Sequence, residues 1–117
     1  AVHSMSHAVG ADQELRLHHG TLNGVILPTI LRFNKDHVGD KYARIARAMG
    51  KEESTDLADE IEKLNEKIGL PNGLAAMGVT EEMIPALVAH SMTDPSNMTT
   101  PRLPSKDEWE KLFLEAM

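Results

Sequence analysis

"TLNGVILPTILRFN", residues 21–34, decides the fold. Leu22, Val25, Ile26, Leu27, Ile30, Leu31 and Phe33 place apolar side chains on almost every face of a helix. A helix of that kind has to lie at the centre of a bundle, because no side of it is suited to water. Pro28 sits inside the run, lacks a backbone donor and presses on the carbonyl of Gly24, four residues earlier. A kink is therefore predicted there, with the glycine easing the strain.

Outward from this helix, nearly every segment reads as helix, and no stretch sustains the two-residue alternation of a strand. Residues 1–10 suit a short helix, and "ADQELRLHHG" (11–20) reads as a connector. "DHVGDKYARIARAMG" (36–50) spaces Tyr42, Ile45, Ala46 and Met49 as one helical face and stops at Gly50. In 54–69, Ser54 or Thr55 offers a cap, and Leu57, Ile61, Leu64 and Ile68 align opposite a Glu- and Lys-rich face. "LPNG" (70–73) is a turn. Thr80 reads as the N-cap of a helix to about Met92, with Val79 stapling onto Ile84 and Pro85 weakening its first turns. "TDPSNMTTPRLPS" (93–105) holds three prolines and reads as a loop. Ser105 and Glu108 make a capping box for a last helix, 106–116, that buries Trp109, Leu112 and Phe113. The expectation is an all-α bundle of five or six helices over residues 1–117, forming one helical domain.

Composition narrows the function. Hydrophobic residues make up 41% and charged residues 26% of the 117, as in an ordinary globular protein. Aromatics at 3% are too few to build the core, which falls to Leu, Ile, Val, Ala and seven adaptable methionines. A net charge of −6 opposes nonspecific nucleic-acid binding, which needs a basic field. The absence of cysteine excludes disulfides, thiolate zinc sites and thiol chemistry. No apolar run approaches the ~18 residues of a membrane span. The opening residues carry histidines where a secretory leader would have a basic and then an apolar region. A cytoplasmic protein without membrane or nucleic-acid partners is expected.

The remaining chemistry lies in the histidines. His3 and His7, in "HSMSHAVGA" (3–11), are four apart, which on a helix stacks them about 6 Å along the axis. They are close enough to flank one ion, or they are two polar residues at a frayed end. No Glu follows His3, so the pair is not the zinc-protease motif. His18 and His19 immediately precede Gly20 and the central helix, where a metal or a backbone carbonyl would satisfy them. His37 and His90 have no context that distinguishes them. Asp56, Asp59, Glu60, Glu62 and Glu66 interleave with Lys63 and Lys67 as a solvated helix face. The chain contains no GxGxxG, P-loop or GxSxG, and so no phosphate or dinucleotide cradle of its own.

Taken in order, "HSMSHAVGA", "HHGTLNGVILPTILRFN", "ARIARAMG", "LPNGLAAMGVTEEMIPALV" and "DPSNMTTPRLPSKDEWEKLF" resemble the C-terminal region of the iron-containing (group III) alcohol dehydrogenases. The resemblance covers essentially the whole chain, and the first 34 residues carry its specific motifs. It implies a two-domain parent, with an α/β domain that binds NAD(P) followed by a helical domain that holds Fe²⁺ or Zn²⁺. The implied chemistry interconverts small alcohols with aldehydes or ketones, the metal polarising the substrate oxygen during hydride transfer. By motif position His3 and His19 would be metal ligands, and His7 a catalytic positioning or proton-relay group near the nicotinamide. The family's other two ligands, an Asp and a His, would lie upstream of this segment.

The chain departs from the family pattern in two places. The stretch between the two histidine motifs is about two residues longer, and His18 replaces the usual proline, which leaves His18 as the alternative ligand to His19. The resemblance thus implies the metal-presenting fragment of a dehydrogenase, inactive alone. A second reading is a stand-alone helical binding or dimerisation module that keeps the scaffold without catalysis. Such an orphan module would expose the apolar surface that once met its partner domain and tend to dimerise, and a homo-oligomer is expected. A glycerol-dehydrogenase-like or dehydroquinate-synthase-like protein, sharing this helical domain, matches the central run less well.

Overall fold

The structure, a computed structural model, describes residues 1–117. It contains six α-helices and no strand. Helix α1 (Val2–Gly10) opens the chain, and α2 (His19–Asn34) is the long apolar run. Then come α3 (Lys41–Ala48), α4 (Leu57–Lys67), α5 (Ile84–Thr93) and α6 (Lys106–Glu115). As its composition requires, α2 is central: it packs against α1, α4 and α6, while α5 bridges α1 and α6.

Helix α2 starts two residues before its predicted beginning because His18 supplies the cap. The His18 Nδ1 accepts the Thr21 backbone N–H at 3.4 Å, so His19 and Gly20 are already helical. The helix then runs through Pro28 as one element. The Gly24 carbonyl, which Pro28 cannot reach with a donor, accepts instead from the Asn65 side-chain amide of α4 at 2.8 Å. A methyl on Gly24 would come within 2.6 Å of the Leu70 side chain, so the glycine also lets the chain beyond α4 close over α2.

The core joins Met5, Ala8 and Val9 of α1 with Leu22, Val25, Ile26 and Ile30 of α2, Ile84, Leu87 and Val88 of α5, and Trp109, Leu112 and Phe113 of α6. Each large side chain in that set contributes about 1.5–3 kcal/mol by leaving water. Helix α6 begins at the predicted capping box, with Ser105 Oγ accepting from the Glu108 N–H and Glu108 Oε2 accepting from the Ser105 N–H. Next to this core, the N–H groups of Leu74 and Ala75 donate to the carbonyls of Ala116 and Met117 at 2.8 and 3.1 Å. Gly73, at φ +89°, allows this clasp, because a side chain there would overlap the Met117 carbonyl.

Several expectations are corrected. The segment 36–50 is not one helix: residues 35–37 form a 3-10 turn, Gly39 takes a left-handed φ of +57°, and α3 begins only at Lys41. Helix α3 touches α4 and little else, so of its predicted apolar face only Ala46 is buried, and Ile45 and Met49 are exposed. On α4, Leu57 is buried but Leu64 and Ile68 are exposed, and Asp56, not Ser54 or Thr55, is the cap. The start predicted at Thr80 becomes a 3-10 turn, Glu81–Met83, before α5, with Pro85 in the first turn of the α-helix. The three-proline segment contains a further 3-10 element, Pro95–Thr99.

Candidate metal and proton-transfer site

Helix α1 buries Ser4, Met5, Ser6, Ala8 and Val9 and turns His3 and His7 to the outside. The start of α2 lies against that same edge, and His19 joins them. The three imidazoles form a triangle, with centroids 5.6 Å apart for His3–His7, 5.2 Å for His3–His19 and 5.3 Å for His7–His19. The His7 and His19 rings lie nearly parallel. His18 takes no part, since its ring caps α2. His37 and His90 are exposed elsewhere, on the 3-10 turn after α2 and on α5.

Each ring in the triangle is held differently. His19 Nε2 lies 2.9 Å from the Asn23 side-chain nitrogen, one turn along α2, and His19 Nδ1 lies 3.5 Å from Ser6 Oγ. The Asn23 Oδ1 is buried without a partner. Ser6 Oγ donates back to the His3 carbonyl at 3.1 Å. His7 Nδ1 contacts Asp94 Oδ2 at 2.9 Å, from a side chain that is almost fully buried. Burial pushes the Asp94 carboxyl up, but the hydrogen bonds from His7 and Ser96 outweigh it and hold the group down at about 2. Asp94 is therefore a carboxylate at any ordinary pH.

Sequence reasoning missed Asp94 and the polar clamp around it. Ser4 Oγ donates to Asn97 Oδ1 at 2.7 Å, Asn97 Nδ2 donates to the Ser91 carbonyl at 2.7 Å, and Ser91 Oγ donates to the Ser4 carbonyl at 3.2 Å. This closed circuit fastens the histidine helix to the turn after α5. "DPSN" does signal a capped turn, with an Asx residue before a first-turn proline. Nothing local signals a partner 87 residues away.

The donor set suits a divalent ion in part. Bonds of about 2.1 Å to one tetrahedral ion set two imidazole centroids roughly 5 Å apart, which the His3–His19 pair meets. The chain does not close the site by itself: no three His, Asp or Glu side chains are grouped to hold an ion. Two of the three rings in the triangle already spend a nitrogen on Asp94 or Asn23. What the chain shows is three imidazoles on one exposed edge, one of them anchored by a carboxylate.

The family model described as "Fe-containing alcohol dehydrogenase family, C-terminal" matches residues 1–117. A 4-hydroxybutyrate dehydrogenase of Cupriavidus necator is 38% identical over 123 aligned positions, covering 99% of this chain and 32% of that protein. A lactaldehyde reductase of Escherichia coli (strain K12) is 35% identical, covering 96% of this chain and 31% of that protein. Among solved structures, a 1,3-propanediol oxidoreductase superposes with a TM-score of 0.91 at 28% identity, covering 99% of this chain and 32% of that one. The chain thus spans about a third of the length of the relatives it matches.

Proposed function

Because the chain belongs to the iron-containing alcohol dehydrogenase family, as its C-terminal helical region, we propose that it is the metal-presenting part of an NAD(P)-dependent oxidoreductase interconverting small alcohols with aldehydes or ketones. Residues 1–117 form a single helical domain of a two-domain enzyme, and the cofactor domain and the remaining ligands come from outside this segment. The observation that carries the reading is the convergence of His3, His7 and His19 from two helices onto one exposed edge.

When bound, the divalent ion, Fe²⁺ or Zn²⁺, supplies a Lewis acid at the substrate oxygen, and NAD(P) exchanges the hydride. The chain's own residues do the rest. His3 and His19 would hold the ion through neutral imidazole nitrogens, His19 exchanging its Asn23 contact at Nε2 for the ion. Asn23 and Ser6 fix the orientation of the His19 ring. His7 stands beside them as the group that takes the alcohol proton during oxidation and returns it during reduction. No helix is long and apolar enough to cross a membrane, and the reading places the enzyme in the cytoplasm. It includes assembly into a homo-oligomer, in keeping with exposed apolar side chains such as Ile68 at 61% and Leu103 at 64%.

Titration of this chain with Zn²⁺, followed on its histidine resonances, tests the site. His3→Ala or His19→Ala should weaken binding, and His18→Ala should leave it unchanged. Loss of binding in the His18 variant alone would move the ligand to the other histidine. The activity is tested on the protein made from whatever coding sequence precedes Ala1 together with this segment. Metal-dependent aldehyde reduction with NAD(P)H supports the enzyme. A reading frame that starts at Ala1, with no turnover, would leave a helical module that has lost the chemistry.

A further inference from the structure

We propose that Asp94 is a positioning residue that holds His7 in the tautomer protonated at Nδ1, leaving Nε2 as its lone-pair nitrogen. The inference rests on the reading of His7 as the proton-handling group only for its catalytic meaning. The tautomer itself follows from local geometry.

A carboxylate offers only acceptors to its neighbours. Asp94 Oδ2 lies 2.9 Å from His7 Nδ1, so a neutral His7 bonded there carries its proton on Nδ1. The other carboxylate oxygen, Oδ1, is occupied, accepting the Ser96 N–H at 2.8 Å in the turn that Asp94 caps. The carboxylate is thus fixed at both oxygens and cannot turn away. The Ser4–Asn97–Ser91 circuit fixes the distance between the two elements, because it ties the backbone of α1 to the residues on either side of Asp94. His7 Nε2 receives no hydrogen bond from the chain, and the side chain is 42% exposed. The outcome is an imidazole whose basic nitrogen is unspent. If that nitrogen takes up a proton, the resulting cation is bonded to an anion already in place, the arrangement by which a buried carboxylate supports a general base.

The same geometry states what Asp94→Asn must do. The new amide keeps its oxygen toward the Ser96 N–H, because the reverse orientation would set two donors face to face. The amide nitrogen then faces His7 Nδ1 and donates to it, so the imidazole proton has to move to Nε2. Shape is preserved and the tautomer is inverted. An amide in place of the triad carboxylate of a serine protease inverts its histidine in the same way.

The test is a long-range ¹H–¹⁵N correlation spectrum of the histidine rings of this chain. It is recorded without metal or cofactor, about two units above the ordinary imidazole pKa of ~6.5. His7 is identified by the signals that vanish in His7→Gln. Wild type should show the Nδ1–H pattern, Asp94→Asn the Nε2–H pattern, and Asp94→Ala an averaged mixture of the two. An Nε2–H pattern in wild type, or an unchanged Nδ1–H pattern in Asp94→Asn, overturns the proposal. Should Asp94→Ala fail to fold, the near-isosteric Asn variant and the wild-type spectrum still decide. Since no ion or substrate is present, failure of His3 and His19 to bind metal leaves this result standing, and the reverse also holds.

Discussion

At the scale of single residues, the fold turns on polar atoms that find unusual partners. Pro28 strips the Gly24 carbonyl of its helical donor, and Asn65 restores one from a neighbouring helix. Removing that amide in Asn65→Ala should cost about 1 kcal/mol, the net worth of one hydrogen bond at a half-buried carbonyl. In a Pro28→Ala background residue 28 regains an N–H, so the penalty for losing Asn65 should shrink. A double-mutant cycle on denaturant midpoints reads this coupling, and strict additivity would show that the amide is not compensating for the proline. Part of this was legible: Gly24 and Pro28 announce the strain, and His3 and His7 announce a shared helix face. Asn65, Asp94 and Asn97 were not legible, because their partners lie 41, 87 and 93 residues away and no local pattern encodes such a distance. Nor does an arginine hint that Arg16 takes a left-handed φ of +48° in the connector before His18.

At the scale of elements, termini decide where each helix begins, and the sequence was most readable where a cap is made by neighbours. The box at Ser105 and Glu108 is such a case. Ser105→Ala should lower stability by about 1 kcal/mol, seen as a lower thermal midpoint with the native helical spectrum retained. The start of α2 was read two residues late because histidine is not a customary capping residue, although its Nδ1 does the same work as a serine oxygen. The apolar stripes of α3 and α4 were legible as stripes, but much of each lies in water. Periodicity reports that a helix has an apolar face, but not whether another element lies across it. Here Ile45 and Ile68 stay in water.

At the scale of the whole molecule, the charges that pair across elements set how it responds to acid. Asp94 is held at about 2, where His7 and Ser96 outweigh its burial. Hydrogen bonds from Lys51 and Lys63 lower Glu60, hydrogen bonds from Lys35 and the Asp59 N–H lower Asp56, and that from Arg32 lowers Glu62. A carboxyl whose folded pKa is depressed adds stability that is complete above its unfolded value near 4, and that stability goes as pH falls through the folded value. Helical circular dichroism should therefore hold steady down to about pH 4 and then weaken progressively toward pH 2. Asp94→Asn should flatten the lowest part of that curve, and an identical acid profile in the variant would mean that Asp94 contributes nothing to acid stability. The bundle itself was legible from the central run alone. The grouping of His3, His7 and His19 was legible only through the family resemblance, because no local pattern states that the start of α2 lies against the histidine face of α1.

The chain's single tryptophan, Trp109, is completely enclosed on α6. An indole sealed from solvent emits toward the blue and shifts red on hydration, so the molecule carries its own optical gauge of core integrity. Fluorescence recorded during any ligand titration or variant comparison will thus separate an event confined to the surface from one that loosens the interior, with no label attached.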